Sequence, residues 1–95
     1  MAVAVVLEFD GATLDQYDQI RESMGLEAEG PAPPGALFHW VTATDDGFRV
    51  TDVWESREAF DRFAQEKIGP LSAQAGVETQ PEITEYAVHN YHTPG

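Results

Sequence analysis

The chain has 95 residues and no cysteine, so it can form neither a disulfide framework nor a thiolate zinc site. Basic residues are few, with 5 Lys and Arg against 17 Asp and Glu, and the formal net charge is −12. Such a field repels nucleic acids and anionic membrane surfaces, and we expect the chain to bind neither. The apolar run 2–7 is too short for a signal sequence or a membrane span. We therefore predict a cytoplasmic protein with an acidic, solubilising surface.

The first third of the chain predicts a strand, a helix and a loop. Residues 2–9 are nearly all apolar and rich in valine, as in a buried strand. Thr13 with Gln16 forms a capping box, and Tyr17 lies on the apolar stripe of the helix that follows. The proline-rich residues 27–35 can be neither helix nor central strand. We interpret them as a loop, in which 30–35 is either a lid over a pocket or a stiff connector.

Two further strands, 36–44 and 48–55, flank an Asp46-Gly47 pair that fits a two-residue hairpin turn. In that register Asp45 pairs with Phe48, so that His39 lies opposite Trp54 and Asp52 lies diagonally across the hairpin.

The second half of the chain adds a helix and a last strand. Ser56 caps the helix, Gly69-Pro70 is expected to end it, and residues 82–91 form the strand. The order strand, helix, strand, strand, helix, strand and the right-handed crossover rule favour one α+β domain over residues 1–95. We predict a ferredoxin-like βαββαβ fold, an antiparallel four-stranded sheet with both helices on one face.

The other face of this sheet is then bare. Phe38 and Trp40 alternate with His39 along the second strand and point to that face. Two adjacent large aromatic side chains on an open face indicate burial against a partner, and a second copy of the same sheet is the simplest one. We predict a homodimer joined through the sheet faces.

The segment Thr51-Asp52-Val53-Trp54-Glu55-Ser56-Arg57-Glu58-Ala59-Phe60, with Phe63 and Ile68-Gly69-Pro70 beyond it, resembles the dimeric α+β barrel proteins. Within them it is similar to the antibiotic-biosynthesis-monooxygenase-like group. The resemblance implies two sheets paired into a barrel and a small pocket in each subunit between sheet and helices. Members of the group include cofactor-free oxygenases, polyketide cyclases, isomerases and haem-degrading enzymes, and also proteins without known activity. The fold does not choose among these.

The haem-degrading branch does not fit this chain. Its members resemble the chain at Trp54 but also use a histidine on the second helix as an iron ligand. The corresponding stretch, residues 63–67, contains no histidine. We therefore predict no haem and no other bound cofactor.

His39 and Asp52 are the predicted catalytic residues. A histidine is the side chain best able to move a proton near neutral pH, and Asp52 could orient or charge it. If Trp54 faces the helices, as the resemblance implies, His39 and Asp52 line the subunit's own pocket. The alternative is a histidine whose hydrogen bonds are satisfied within a packed core.

Four more residues are predicted to bind a substrate: Tyr17, Trp54, His89 and Tyr91. Tyr17 could put its hydroxyl into the pocket or only pack there. His89 and Tyr91 share one face of the last strand and could close the pocket or meet the partner subunit. Side chains alternate between the two faces of a strand, so those of His89 and His92 would point to opposite faces, and we predict no metal site.

Two functions remain open from the sequence. The first is a small cofactor-independent enzyme, a monooxygenase, cyclase or isomerase that acts on an aromatic or polyketide-like small molecule. The second is a non-catalytic protein of the same fold that binds a small apolar or aromatic ligand or serves as an accessory protein.

Overall fold

The computed structural model of the chain describes residues 1–93. Its strands and helices are β1 (Val3–Asp10), α1 (Leu14–Ser23), β2 (Ala36–Ala43), β3 (Gly47–Trp54), α2 (Arg57–Phe63), a π-helical segment (Ala64–Ile68), α3 (Gly69–Gln74) and β4 (Glu82–Ala87). The four strands form one sheet in the order β2-β3-β1-β4, and all neighbouring strands are antiparallel. The predicted fold class is therefore confirmed.

One face of the sheet carries the core. Val5, Leu7, Phe48 and Val50 alternate with outward residues along the two central strands and are buried beneath the helices. From the helix side, Phe60 of α2 packs into the same cluster. The first helix contributes less than its apolar stripe predicts, because Leu14 is 42% exposed.

Local signals set the starts of the helices. The Thr13 hydroxyl accepts from the Gln16 backbone N–H, and the Gln16 side chain accepts from the Thr13 N–H, which completes the predicted capping box. The Ser56 hydroxyl accepts from the Ala59 N–H at 3.1 Å and begins α2 in the same way. Gly25 follows α1 with a φ of 76°, a left-handed conformation that favours glycine.

The predicted hairpin register is wrong by two residues. Asp45 and Asp46 form the turn, and the Thr44 N–H donates to the Gly47 carbonyl at 2.9 Å. Gly47 is the first residue of β3, where a Cβ would lie 1.9 Å from the Phe9 carbonyl oxygen. The glycine therefore serves the close approach of β3 to β1 rather than the turn. His39 lies directly opposite Asp52, not opposite Trp54.

Gly69-Pro70 does not end the helical stretch, contrary to expectation. Residues 64–68 form a π-helical segment in which the Gly69 N–H donates to the Ala64 carbonyl, and α3 continues to Gln74. Pro70 lies in the first turn of α3, where its fixed φ is compatible with the helical backbone. The chain after Pro70 is therefore helical as far as Gln74.

The last strand is shorter than predicted. It ends at Ala87, so residues 88–91 lie beyond it. On the open face of the sheet, Phe38, Trp40 and Tyr86 are 52%, 49% and 57% exposed. They are three of the largest exposed apolar side chains in the described chain.

Candidate functional site

His39 and Asp52 form the centre of the candidate site. They are directly opposed on β2 and β3, and both side chains lie on the helix face. The His39 Nδ1 and the Asp52 Oδ1 are 2.6 Å apart. The His39 side chain keeps 31% of its surface exposed, whereas that of Asp52 keeps 4%. The carboxylate is therefore a buried partner behind a partly accessible imidazole.

Trp54 lies beneath Asp52 and does not line a cavity. Its indole N–H donates to Asp52 Oδ2 at 3.1 Å, and the residue is 1% exposed. Its ring packs against Phe60 and Phe63 of α2, at centroid distances of 5.8 Å and 4.9 Å. The predicted contact of Trp54 with a ligand is thus not available in this structure, since the ring is covered. Its polar contact is instead with the carboxylate.

Tyr17 completes the network from the other side. Its hydroxyl oxygen lies 2.6 Å from the His39 Nε2, and the two rings lie edge to edge, with 12° between their planes and 6.0 Å between their centroids. The same tyrosine ring packs edge-on against Phe48, at a centroid distance of 5.6 Å. The hydroxyl therefore reaches the site, while the ring packs over the core.

The donors and acceptors of this network admit one consistent arrangement when Asp52 is ionised and His39 is neutral. An indole N–H only donates, so Asp52 Oδ2 accepts from Trp54. The carboxylate accepts at Oδ1 as well, which assigns the imidazole proton to His39 Nδ1. The free lone pair of Nε2 then accepts the hydroxyl proton of Tyr17. The order of hydrogen bonds is Tyr17 to His39 to Asp52, with Trp54 holding the far oxygen.

The environment favours the neutral form of Tyr17. Burial raises the pKa of the Tyr17 phenol above its ordinary value of 10.0. Arg21 opposes this rise, whereas the charges of Asp52 and Asp18 add to it. The phenol therefore keeps its proton at neutral pH and donates it to the imidazole.

A cavity of about 380 Å³ opens beside this network. Tyr17 and Arg21 of α1, the loop from Leu26 to Pro33, and residues 37–39 of β2 line it. The cavity lies next to His39, and the proline-rich loop forms one of its walls. A second cavity, of about 420 Å³, lies on the other side of the same loop and shares Leu26 and Pro33 with the first.

Arg21 is a lining residue that the sequence analysis did not identify. It follows Tyr17 by four positions, a spacing that puts both side chains on one face of a helix and that could have revealed it. Its guanidinium Nη1 donates to the Leu26 carbonyl at 2.7 Å and so ties α1 to the start of the loop.

His89 and Tyr91 do not join this group. Both follow the end of β4 at Ala87 and are exposed, and neither lines either cavity beside the loop. The prediction that they share a strand face is wrong, because the strand stops before them.

Among residues 1–93, no group of three or more His, Asp or Glu side chains could hold a metal ion. No helix in this range is long and apolar enough to cross a membrane.

Solved structures share this fold over almost the whole chain. A proposed antibiotic biosynthesis monooxygenase from Chloroflexus aurantiacus J-10-fl has a TM-score of 0.65 at 18% identity, and all of each chain is covered. SnoaB, a cofactor-independent oxygenase from Streptomyces nogalater, has a TM-score of 0.56 at 15% identity, covering 95% of this chain and 93% of that one. The monooxygenase ActVA-Orf6 of Streptomyces coelicolor, in complex with nanaomycin D, has a TM-score of 0.53 at 23% identity, covering 99% and 92%.

No family model matches the sequence, and no curated protein matches it. The likeness to solved structures therefore defines the fold and not the activity. At that level the resemblance inferred from the Trp54-Glu55-Ser56 segment is confirmed: the chain has the fold of the antibiotic-biosynthesis-monooxygenase-like proteins.

Proposed function

We propose that the chain is a small enzyme that works without a bound cofactor and removes a proton from an aromatic or polyketide-like molecule held beside His39. The observation that carries this proposal is the hydrogen-bonded series Tyr17, His39 and Asp52 at the wall of a cavity. Removal of a phenolic proton, or of a proton next to a carbonyl group, is the step that a general base supplies to oxygenation, cyclisation or isomerisation of such molecules.

Two features support His39 as the base. A carboxylate behind Nδ1 stabilises the imidazolium that forms when the ring accepts a proton, and it holds the ring in one tautomer. The cavity of about 380 Å³ is of the size that binds small molecules, and its wall includes Leu26, Pro33 and Leu37. Likeness of fold to a cofactor-independent oxygenase and to a monooxygenase bound to nanaomycin D points to the same class of ligand.

A probe molecule tests the proposal without knowledge of the natural substrate. 2-Tetralone is a bicyclic aromatic ketone with acidic protons beside its carbonyl group, and their exchange in D₂O is followed by proton NMR. We expect the protein to accelerate this exchange above the buffer rate. His39→Ala should lower the accelerated rate of the folded protein by about 10²–10⁴-fold, the usual contribution of a general base. The variant should also lose about 1–3 kcal/mol of stability, because the buried Asp52 carboxylate loses one of its hydrogen-bond partners.

The matched control is His92→Ala, which removes an exposed histidine near the end of the chain. It should leave the exchange rate as it is. Absence of accelerated exchange in the unaltered protein would count against the enzyme, as would a His39→Ala variant that loses stability but exchanges normally in its folded fraction.

A second candidate function is a non-catalytic protein that binds a small ligand. The observation in its favour is that both nitrogens of His39 already have partners within the chain, as a structural network requires. Calorimetry separates the two candidates, because a binding protein takes up an aromatic probe without accelerating its exchange.

We also propose that the chain forms a homodimer through the open face of its sheet. Phe38 and Trp40 of β2 and Tyr86 of β4 leave about half of their surface exposed on that face. Burial of exposed apolar surface stabilises an interface by about 25 cal/mol per Å² before the cost of association. A face of this kind on a monomer is unfavourable, and a second copy would cover it with its own aromatic residues.

A further inference from the structure

We infer that the hydroxyl of Tyr17, rather than the imidazole of His39, is the group that meets the substrate and accepts its proton. In this arrangement Tyr17 passes its own proton to His39 as it takes the substrate's. The inference rests on the proposed function, since it concerns which atom of the same site contacts the molecule to be deprotonated.

The first argument is that no nitrogen of His39 is free. Nδ1 lies 2.6 Å from Asp52 Oδ1, and Nε2 lies 2.6 Å from the Tyr17 hydroxyl. A neutral imidazole has one lone pair to offer, and here it is the one that Tyr17 occupies. A substrate proton therefore reaches His39 either through the Tyr17 oxygen or after the tyrosine has moved away.

The second argument is that Tyr17 is held where it is. Its hydroxyl is hydrogen-bonded to His39, and its ring packs edge-on against Phe48, which is 1% exposed. Its backbone N–H donates to the Thr13 carbonyl at 3.0 Å in the first turn of α1. Displacement of the hydroxyl would break these ring contacts, whereas transfer through it requires no movement of the ring.

The third argument is that the Tyr17 oxygen can serve both partners. When it donates its proton to Nε2, its lone pairs are still able to accept a hydrogen bond from a ligand. Tyr17 and His39 line the same cavity, so a ligand there can approach the hydroxyl.

The step balances as two proton transfers and involves no oxidation. The O–H or C–H bond of the substrate breaks, and its proton bonds to the Tyr17 oxygen. The former Tyr17 O–H bond breaks, and that proton bonds to His39 Nε2. The products are a substrate anion and an imidazolium paired with the Asp52 carboxylate, and the reverse transfers return the protons to the product. The fitting substrates are phenols and enolisable aromatic ketones.

The test compares Tyr17→Phe with the unaltered protein in the 2-tetralone exchange assay. Two quantities are measured, the exchange rate at saturating probe and the dissociation constant by calorimetry. If Tyr17 carries the proton, the saturated rate should fall by about 10²–10⁴-fold, and the dissociation constant and melting temperature should change little. Tyr91→Phe removes an exposed hydroxyl beyond the end of β4, away from both cavities, and is the matched control, with an unchanged rate expected.

The outcomes separate this inference from the function on which it rests. Loss of exchange in both His39→Ala and Tyr17→Phe supports both. Loss in His39→Ala with an unchanged or faster rate in Tyr17→Phe overturns the role of Tyr17 and leaves His39 as the direct base. A Tyr17→Phe variant that fails only in binding or in stability assigns the tyrosine to packing, and this also overturns the inference. Absence of exchange in the unaltered protein overturns both proposals.

Discussion

Replacement of Asp52 by asparagine should reverse the direction of the hydrogen bonds through His39 while the fold is kept. Asp52 accepts at both oxygens, from His39 Nδ1–H and from Trp54 Nε1–H. An asparagine has one acceptor and one donor in the same positions. Because the indole can only donate, the amide oxygen must face Trp54 and the amide N–H must face His39. His39 then has to accept at Nδ1 and carry its proton on Nε2.

The expected cost in stability is small. Two hydrogen bonds lose their charge assistance, which lowers their joint contribution by about 2 kcal/mol. Removal of the buried Asp52 carboxylate relieves a desolvation cost of opposite sign. The net change in the free energy of unfolding should therefore be less than about 2 kcal/mol. Asp52→Leu is the contrasting variant, because it leaves the buried Trp54 N–H without a partner at a cost of about 1–3 kcal/mol, or roughly 4–8 °C per kcal/mol in melting temperature.

Long-range proton–nitrogen NMR distinguishes the two tautomers of a neutral imidazole, and the spectrum of His39→Ala identifies the His39 signals. At alkaline pH, where imidazoles are uncharged, we expect the Nδ1–H form in the unaltered protein and the Nε2–H form in Asp52→Asn. Exchange of 2-tetralone should fall sharply in Asp52→Asn, as in a Ser-His-Asp triad, where the wrong tautomer lowers kcat about 10⁴-fold. An Nε2–H tautomer in the unaltered protein, or an unchanged tautomer in the variant, would refute the assigned order of hydrogen bonds.

Three other properties follow from the same residues. Light scattering at micromolar concentration should give twice the chain mass of 10.5 kDa. Trp40→Asp should dissociate the dimer, whereas Gln19→Asp on the helix side should not. A folded monomer of the unaltered chain would contradict the proposed interface. The raised pKa of Tyr17 favours folding below pH 10.0. This contribution to stability is lost as the pH rises through the higher pKa that Tyr17 has in the folded state. The free energy of unfolding, measured with urea, should therefore fall more steeply above pH 10.0 in the unaltered protein than in Tyr17→Phe. Equal slopes would refute this contribution of Tyr17. Solubility should be lowest near the isoelectric point of about 4.2, where repulsion between the acidic surfaces vanishes. Constant solubility from pH 3 to 7 would argue against a solubilising role of the acidic surface.

Helix starts and strands could be predicted because their causes are local. Thr13 and Gln16 satisfy each other's backbone groups within one turn, and this geometry needs no tertiary contact. The end of the second helix could not be predicted in the same way. The π-helical segment 64–68 shifts the hydrogen bonding by one residue, so Pro70 enters a first turn where it is tolerated. No signal in the sequence around Gly69-Pro70 distinguishes this arrangement from an ordinary helix stop.

The contact between Tyr17 and His39 lies beyond what the sequence can predict. The two residues are on a helix and a strand that are not hydrogen-bonded to each other, and their approach depends on how α1 lies across the sheet. The burial of Trp54 likewise depends on tertiary packing. Its side of the sheet follows from the alternation of β3, but its burial is set by Phe60 and Phe63 of the following helix.

His39 and Asp52 lie on the same face of the sheet, as predicted, although the predicted hairpin register is wrong, and the reason is physical. Side chains alternate with a period of two along a strand, so a shift of two residues changes the direct partner but leaves every side chain on its own face. A shift of one residue would instead have put Asp52 and Trp54 on the face of the sheet opposite to His39. The corrected register brings Asp52 from a diagonal position to one directly opposite His39, which shortens the separation to a 2.6 Å hydrogen bond. The side of the sheet is thus fixed by alternation alone, whereas the hydrogen bond on which the proposed chemistry depends is fixed by Gly47 and the strand that packs against it.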